Sequence, residues 1–134
     1  MNYWLLKQEP TSYSFEDLMH DGKTDWTGVR NFQARNFLRE MKVGDEVLFY
    51  HSGSVKAVVG KAKISREAYP DPTATDDGWI CVDIEAIGPV AKPITLDVIK
   101  AEPELANMML IKQGRLSVSK VTAAEFAVIE RLSA

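Results

Sequence analysis

A chain of 134 residues, 46% apolar and 26% charged, is long enough to bury a core of its own without disulfides or metal. Its net charge of −3 excludes a protein that holds nucleic acid mainly by neutralising many phosphates, while leaving room for a small basic footprint. The single cysteine, Cys81, excludes an internal disulfide and a cysteine-based zinc site, and apolar runs as short as Val47-Leu48-Phe49-Tyr50 exclude a membrane-spanning helix.

The N-terminus has no basic start followed by an apolar stretch, so a cytoplasmic protein is expected, or a nuclear one in a eukaryote. Tyr3 to Lys7 reads as a first strand, stopped at Glu9-Pro10 because proline restricts the residue before it. Ser14 and Asp17 form a capping box that opens a short helix ending by Gly22. A second helix starts near Asn31, where Ala34, Phe37, Leu38 and Met41 mark one buried face, and Gly44 is expected to end it. Strands follow over 45–52, 55–67 and 79–87, the last with Ile80, Val82 and Ile84 alternating with polar neighbours. Short helices are expected over 94–100 and 103–109, the second with proline in its first turn, and a short strand over 115–118. Thr122 and Glu125 make a second capping box for a terminal helix. No repeat or linker divides residues 1–134, so a single α+β domain is expected, with a curved or barrel-like sheet and helices at its margin.

The segment Trp26-Thr27-Gly28-Val29-Arg30-Asn31-Phe32-Gln33-Ala34-Arg35-Asn36 concentrates flat, forked and amide side chains at a helix mouth. Arginine offers a planar set of donors, and Asn and Gln present a donor beside an acceptor, which suits the edge of a nucleobase. Together with Tyr3-Trp4-Leu5-Leu6-Lys7-Gln8-Glu9-Pro10, Phe49-Tyr50-His51-Ser52, Glu67-Ala68-Tyr69-Pro70-Asp71-Pro72-Thr73 and Arg115-Leu116-Ser117-Val118, this segment resembles the EVE domain family over nearly the whole chain. The resemblance implies a PUA-like fold related to the YTH and ASCH domains, a distorted β-barrel of five or six strands ringed by short helices. It also implies recognition of a modified base, above all a modified cytosine in DNA, flipped into a pocket. The chain departs from the family pattern at Gln8, where serine is usual, at Phe32, where tyrosine is usual, and at Gly53, where asparagine is usual. Gln8 matters most, because a longer amide at a pocket position changes which base edge is accepted.

Ligand contacts are accordingly expected from Lys7, Gln8, Glu9, Trp26, Val29, Arg30, Asn31, Gln33, His51, Ser52, Tyr69 and Asp71. Each also has a plainer reading. Trp26 is either a stacking wall, worth roughly 1–3 kcal/mol per base, or a residue packed on the following helix. Asn31 either meets ligand or only caps that helix. Glu9 either accepts from a cytosine amino group or pairs with Lys7 or Arg30. His51 and Ser52 are adjacent on a strand, so they point to opposite faces and cannot readily serve each other as base and nucleophile. Tyr69 and Asp71 either form a pocket rim or fix their own proline-rich loop.

The leading expectation is a non-catalytic reader of a modified base, without cofactor or metal, whose partner is nucleic acid, DNA before RNA, and not a membrane. A flipped base suits a small basic rim, since unstacking costs only a few kcal/mol. The rival from another class is an enzyme on a nucleotide-like metabolite with Glu9 or His51 as general base. An RNA-binding module of PUA-like fold is the third reading.

Overall fold

The computed structural model describes all 134 residues. In chain order the elements are β1 (Tyr3–Gln8), α1 (Phe15–Asp21), β2 (Lys23–Trp26), α2 (Phe32–Glu40), β3 (Glu46–His51), β4 (Ala57–Pro70), β5 (Ile80–Thr95), α3 (Leu96–Ala101), a 3-10 turn (Pro103–Leu105), α4 (Met109–Lys112), β6 (Val118–Val121) and α5 (Ala123–Leu132). The strands form one mixed sheet in the order β2-β5-β4-β3-β1-β6. Its end strands, β2 and β6, do not pair with each other, so the expected barrel is realised as an open sheet. Register shifts interrupt the β4–β5 pairing at several points and the β3–β4 pairing at Phe49/Tyr50. Such irregularities increase local twist and let one sheet wrap two cores.

Those two cores explain the apolar runs of the sequence. Trp4, Leu6, Val47, Phe49, Ile64, Val82 and Ile84 pack with Phe15 and Leu18 of α1 and Ala34 and Leu38 of α2. Leu5, Leu48, Tyr50, Val58 and Ile94 face the other way, against Ile99, Leu105, Leu110, Phe126 and Ile129. β1 and β3 are parallel neighbours covered on both faces, and such strands read as continuous hydrophobic stretches. Buried Asp45 ties them at their start by accepting from Trp4 Nε1 (3.0 Å), Asn2 N (3.2 Å) and Lys42 N (3.0 Å).

Both expected capping boxes form, at Ser14/Asp17 and Thr122/Glu125. Several boundaries differ from expectation. α2 ends at Glu40 with Met41 as its C-cap, and Gly44, at φ 93°, belongs to the turn beyond it. The 103–109 helix divides into the 3-10 turn and α4, and the last strand begins at Val118. β2 is a strand where none was expected, so Trp26 ends an edge strand opposite Val82 and does not open a helical segment.

Candidate functional site

Parallel pairing brings the ends of β1 and β3 side by side: Gln8 lies opposite His51, and Ser52 N donates to Gln8 O at 3.0 Å just beyond. Lys7 N donates to Ser117 O at 2.9 Å, drawing the segment after α4 alongside. Between these strand ends lies a cleft of about 410 Å³ lined by Lys7, Gln8, Glu9, Tyr50, Ser52, Gly53, Lys56, Leu96, Leu110, Gly114, Arg115 and Ser117. That is within the size range of small-molecule pockets, roughly 300–1,000 Å³.

Its electrostatics are locally positive although the chain is acidic. Lys7, Lys56 and Arg115 stand against Glu9 alone. The side chains of Lys56, Arg115 and Glu9 make no ion pair or hydrogen bond within the protein. Lys7 is held: its Nζ donates to Gly114 O at 2.7 Å and lies 5.6 Å from the Tyr50 ring, and burial pushes its pKa down. Lys56 has φ 50°, the one non-glycine residue in the left-handed region. Such a conformation costs a long-chain residue roughly 1–2 kcal/mol, so the turn after β3 holds a lysine at the cleft where glycine is conformationally easier.

Two smaller openings adjoin the cleft. One, of about 240 Å³, is lined by Gln8, Tyr13, Thr24, Asp25, Trp26 and Thr27, so the Gln8 side chain forms a wall of both. Tyr13 donates to Asp21 at 2.7 Å, and burial together with Asp21 pushes its pKa up to about 12. The other, of about 320 Å³, is lined by Asn31, Gln33, Gln113, Gly114, Arg115 and Leu116, and meets the main cleft at Gly114 and Arg115.

The structure therefore brings Lys7, Gln8, Glu9 and Ser52 together and sets Asn31 and Gln33 beside them. Asn31 is at the same time the α2 cap, accepting from Ala34 N at 2.9 Å. The remaining expected contacts lie elsewhere. Trp26 is 5% exposed and sits edge-on to Phe49, with ring centroids 5.5 Å apart. Its inward direction from β2 buries the ring face, and it reaches ligand space only in the smaller opening. Val29 is a core residue. His51 points away from Ser52, and its Nε2 accepts from Phe15 N at 3.0 Å, which caps α1. Burial pushes its pKa down, against a smaller pull from Glu16, and an accepting Nε2 leaves the ring proton on Nδ1.

Asp71 is the buried knot of the 70s loop. Its Oδ2 accepts from Gly28 N (2.9 Å) and Arg30 (3.0 Å), and its Oδ1 from Thr73 N (2.7 Å) and the Thr73 hydroxyl (2.6 Å). Burial alone would raise its pKa, but the Thr73, Gly28 and Arg30 donors outweigh it and hold the carboxyl well below the usual range. Arg30 is thus engaged with Asp71 and not with Glu9. The Tyr69 hydroxyl donates to Asp83 at 2.6 Å, which with burial raises its pKa, and Arg66 covers its ring at 3.7 Å. These residues fix the loop rather than line the cleft. Tyr50, Lys56, Gly114 and Arg115 line it without having been expected there.

The six-stranded mixed sheet with its surrounding helices is an α+β domain of the EVE, PUA-like kind, and it carries a cationic cleft at the ends of two parallel strands. The chain belongs to the EVE domain family, whose profile matches residues 2–132. Thymocyte nuclear protein 1 of Rattus norvegicus is 38% identical over 162 aligned residues, covering 96% of this chain and 72% of the relative. A crystal structure of an Agrobacterium tumefaciens protein superposes with a TM-score of 0.97 at 43% identity, covering 99% of this chain and 93% of that one. Human THYN1, solved in complex with DNA containing 5-methylcytosine, superposes with a TM-score of 0.91 at 34% identity, covering 99% of this chain and 98% of that one.

Proposed function

We propose that this protein is a non-catalytic DNA-binding module that takes a modified base, 5-methylcytosine foremost, into the cleft between the ends of β1 and β3. The observation that carries this reading is the set of unpaired polar groups there: Glu9, Lys56 and Arg115 beside the Gln8 amide, in an otherwise acidic chain. Glu9 accepts from the exocyclic amine of cytosine, as carboxylates do at that base edge. The Gln8 NH2 donates to the N3 and O2 acceptors of the remaining edge, oriented by its Oε1, which accepts from Glu9 N at 3.1 Å, and Tyr50, Leu96 and Leu110 provide apolar surface for the ring and its methyl group. Lys56 and Arg115 meet the phosphates on either side. The human relative's complex with 5-methylcytosine DNA supports the choice of ligand.

Binding fits this geometry better than hydrolysis. His51 has its acceptor nitrogen occupied by Phe15 N and lies across the strand from Ser52, so neither Ser52 nor a bound water has a base beside it from that ring. The test is an affinity panel of oligonucleotides that carry one cytosine, 5-methylcytosine or 5-hydroxymethylcytosine, as DNA and as RNA. Preference for a modified DNA, lost in Glu9→Gln, supports the reading. Equal affinities across the panel overturn it, and preference for the RNA set replaces DNA with RNA as partner.

A further inference from the structure

Beyond the cleft, the α2 start and the 70s loop expose a flat aromatic surface. Phe32, at the first position of α2, is 65% exposed, an unusual placement for so large an apolar ring. Trp79 stacks on it, with ring centroids 5.3 Å apart and planes 22° from parallel. The Arg35 guanidinium lies 4.8 Å from the Phe32 ring and 5.5 Å from Trp79, and Arg30 lies 5.7 Å from Trp79. Arg35 forms no ion pair, and its buried Nε has no hydrogen-bond partner. Its charge is positioned by the rings and by Gly78 O, which accepts from Nη1 at 3.5 Å.

This arrangement is rigidly built. Asp71 N donates to Trp79 O at 3.0 Å, closing the loop at its neck, while the Asp71 carboxylate binds Gly28 and Arg30 just before α2. The loop thus holds Trp79 against Phe32, where the pair adds little to the core. Phe32 also stands between Asn31 and Gln33, which line the opening continuous with the main cleft through Gly114 and Arg115.

We propose that the Phe32–Trp79 pair is a second contact site, a stacking platform for the nucleobase that flanks the one taken into the cleft. Exposed Asp76 and Asp77 lie in the same loop, so attraction for phosphate is not its source of binding. The platform presents a ring face to an unstacked base, and Arg35 adds a delocalised cation of the kind that stacks on bases. Flipping a base leaves its neighbour without a stacking partner on one side, and an aromatic face restores that contact. This rests on the cleft as the site of the modified base, and makes the protein a reader of at least two adjacent nucleotides.

The experiment uses a single-stranded DNA oligonucleotide with one 5-methylcytosine and the fluorescent base 2-aminopurine placed next to it, on each side in turn. Free 5-methyldeoxycytidine serves as a ligand for the cleft alone. Phe32→Ala should weaken oligonucleotide binding by about fivefold or more, abolish quenching of 2-aminopurine on one side, and leave the free nucleoside's affinity unchanged. Phe32→Tyr should keep both affinity and quenching, and Phe32→Leu, which retains apolar bulk without a ring, should behave like the alanine variant. Unchanged affinity and quenching in Phe32→Ala, with the wild type still preferring methylated DNA, overturns the platform and spares the cleft. No preference for methylated DNA in the wild type, together with equal loss of methylated and unmethylated binding in Phe32→Ala, overturns the cleft reading and with it the flanking role of the platform.

Discussion

Replacing Asp71 with asparagine tests the claim that this carboxylate is a structural knot. The side chain is fully buried, and its two oxygens accept four hydrogen bonds, from Gly28 N, Arg30, Thr73 N and the Thr73 hydroxyl. An amide of the same shape keeps one acceptor oxygen and turns an NH2 group toward donors. Breaking a buried ion pair by removing one partner costs about 3–5 kcal/mol. Arg30 retains 38% exposure of its side chain and can recover water, which places the expected loss nearer about 2–4 kcal/mol. The assay is urea unfolding of the wild type and Asp71→Asn from neutral to acid pH. Because the folded pKa is depressed, the unfolded chain binds the extra proton as pH falls through the ordinary carboxylate pKa near about 4. The wild-type advantage is therefore full above that pH and shrinks below it, towards the lower folded pKa. A difference under about 0.5 kcal/mol at neutral pH, within the range of an ordinary surface substitution, would refute the knot. So would a difference that does not narrow on acidification.

Three further outcomes follow from the packing and the site. Gly60→Ala should destabilise the domain by about 1–3 kcal/mol in chemical denaturation, because a Cβ there collides with the Phe15 ring. His51 has a depressed pKa, so the stability linked to its neutral ring is present above the unfolded value near about 6.5 and declines as pH falls below it. Thermal unfolding should show that decline between neutral and mildly acid pH, and His51→Gln, which retains an acceptor but does not titrate, should flatten it. Lys56→Gly should relieve the left-handed backbone and raise stability by up to about 1–2 kcal/mol, while reducing the salt slope of oligonucleotide binding by about one ion and weakening it.

The architecture was legible where local signals are strong. Two capping boxes, the Ala34-Leu38 stripe of α2 and the apolar runs of β1 and β3 all announce themselves within a few residues. β2 was not legible, because Lys23-Thr24-Asp25-Trp26 is a polar edge strand whose pairing depends on β5, far along the chain. The same pairing turns Trp26 inward onto Phe49, so a ring that reads as ligand-facing beside Arg30 and Asn31 becomes core.

The cleft was half legible. Lys7, Gln8, Glu9 and Ser52 sit at strand ends that the sequence marks with proline and glycine, but only parallel pairing of β1 with β3 makes those ends neighbours. Arg115 reads only as the start of a short strand, with no hint that the segment lands beside the ends of β1 and β3. His51 and Asp71 stand outside the cleft for a physical reason. A polar side chain can be spent on a backbone donor inside the fold, and both are.

The most direct test of the central claim is a crystal structure of the protein with a short DNA carrying one 5-methylcytosine. The account predicts the methylated base in the cleft, its amine at Glu9 and its edge at Gln8, with Lys56 and Arg115 on the adjoining phosphates. A base seated in the smaller opening beside Trp26, or a stacked duplex bound without a flipped base, would contradict it.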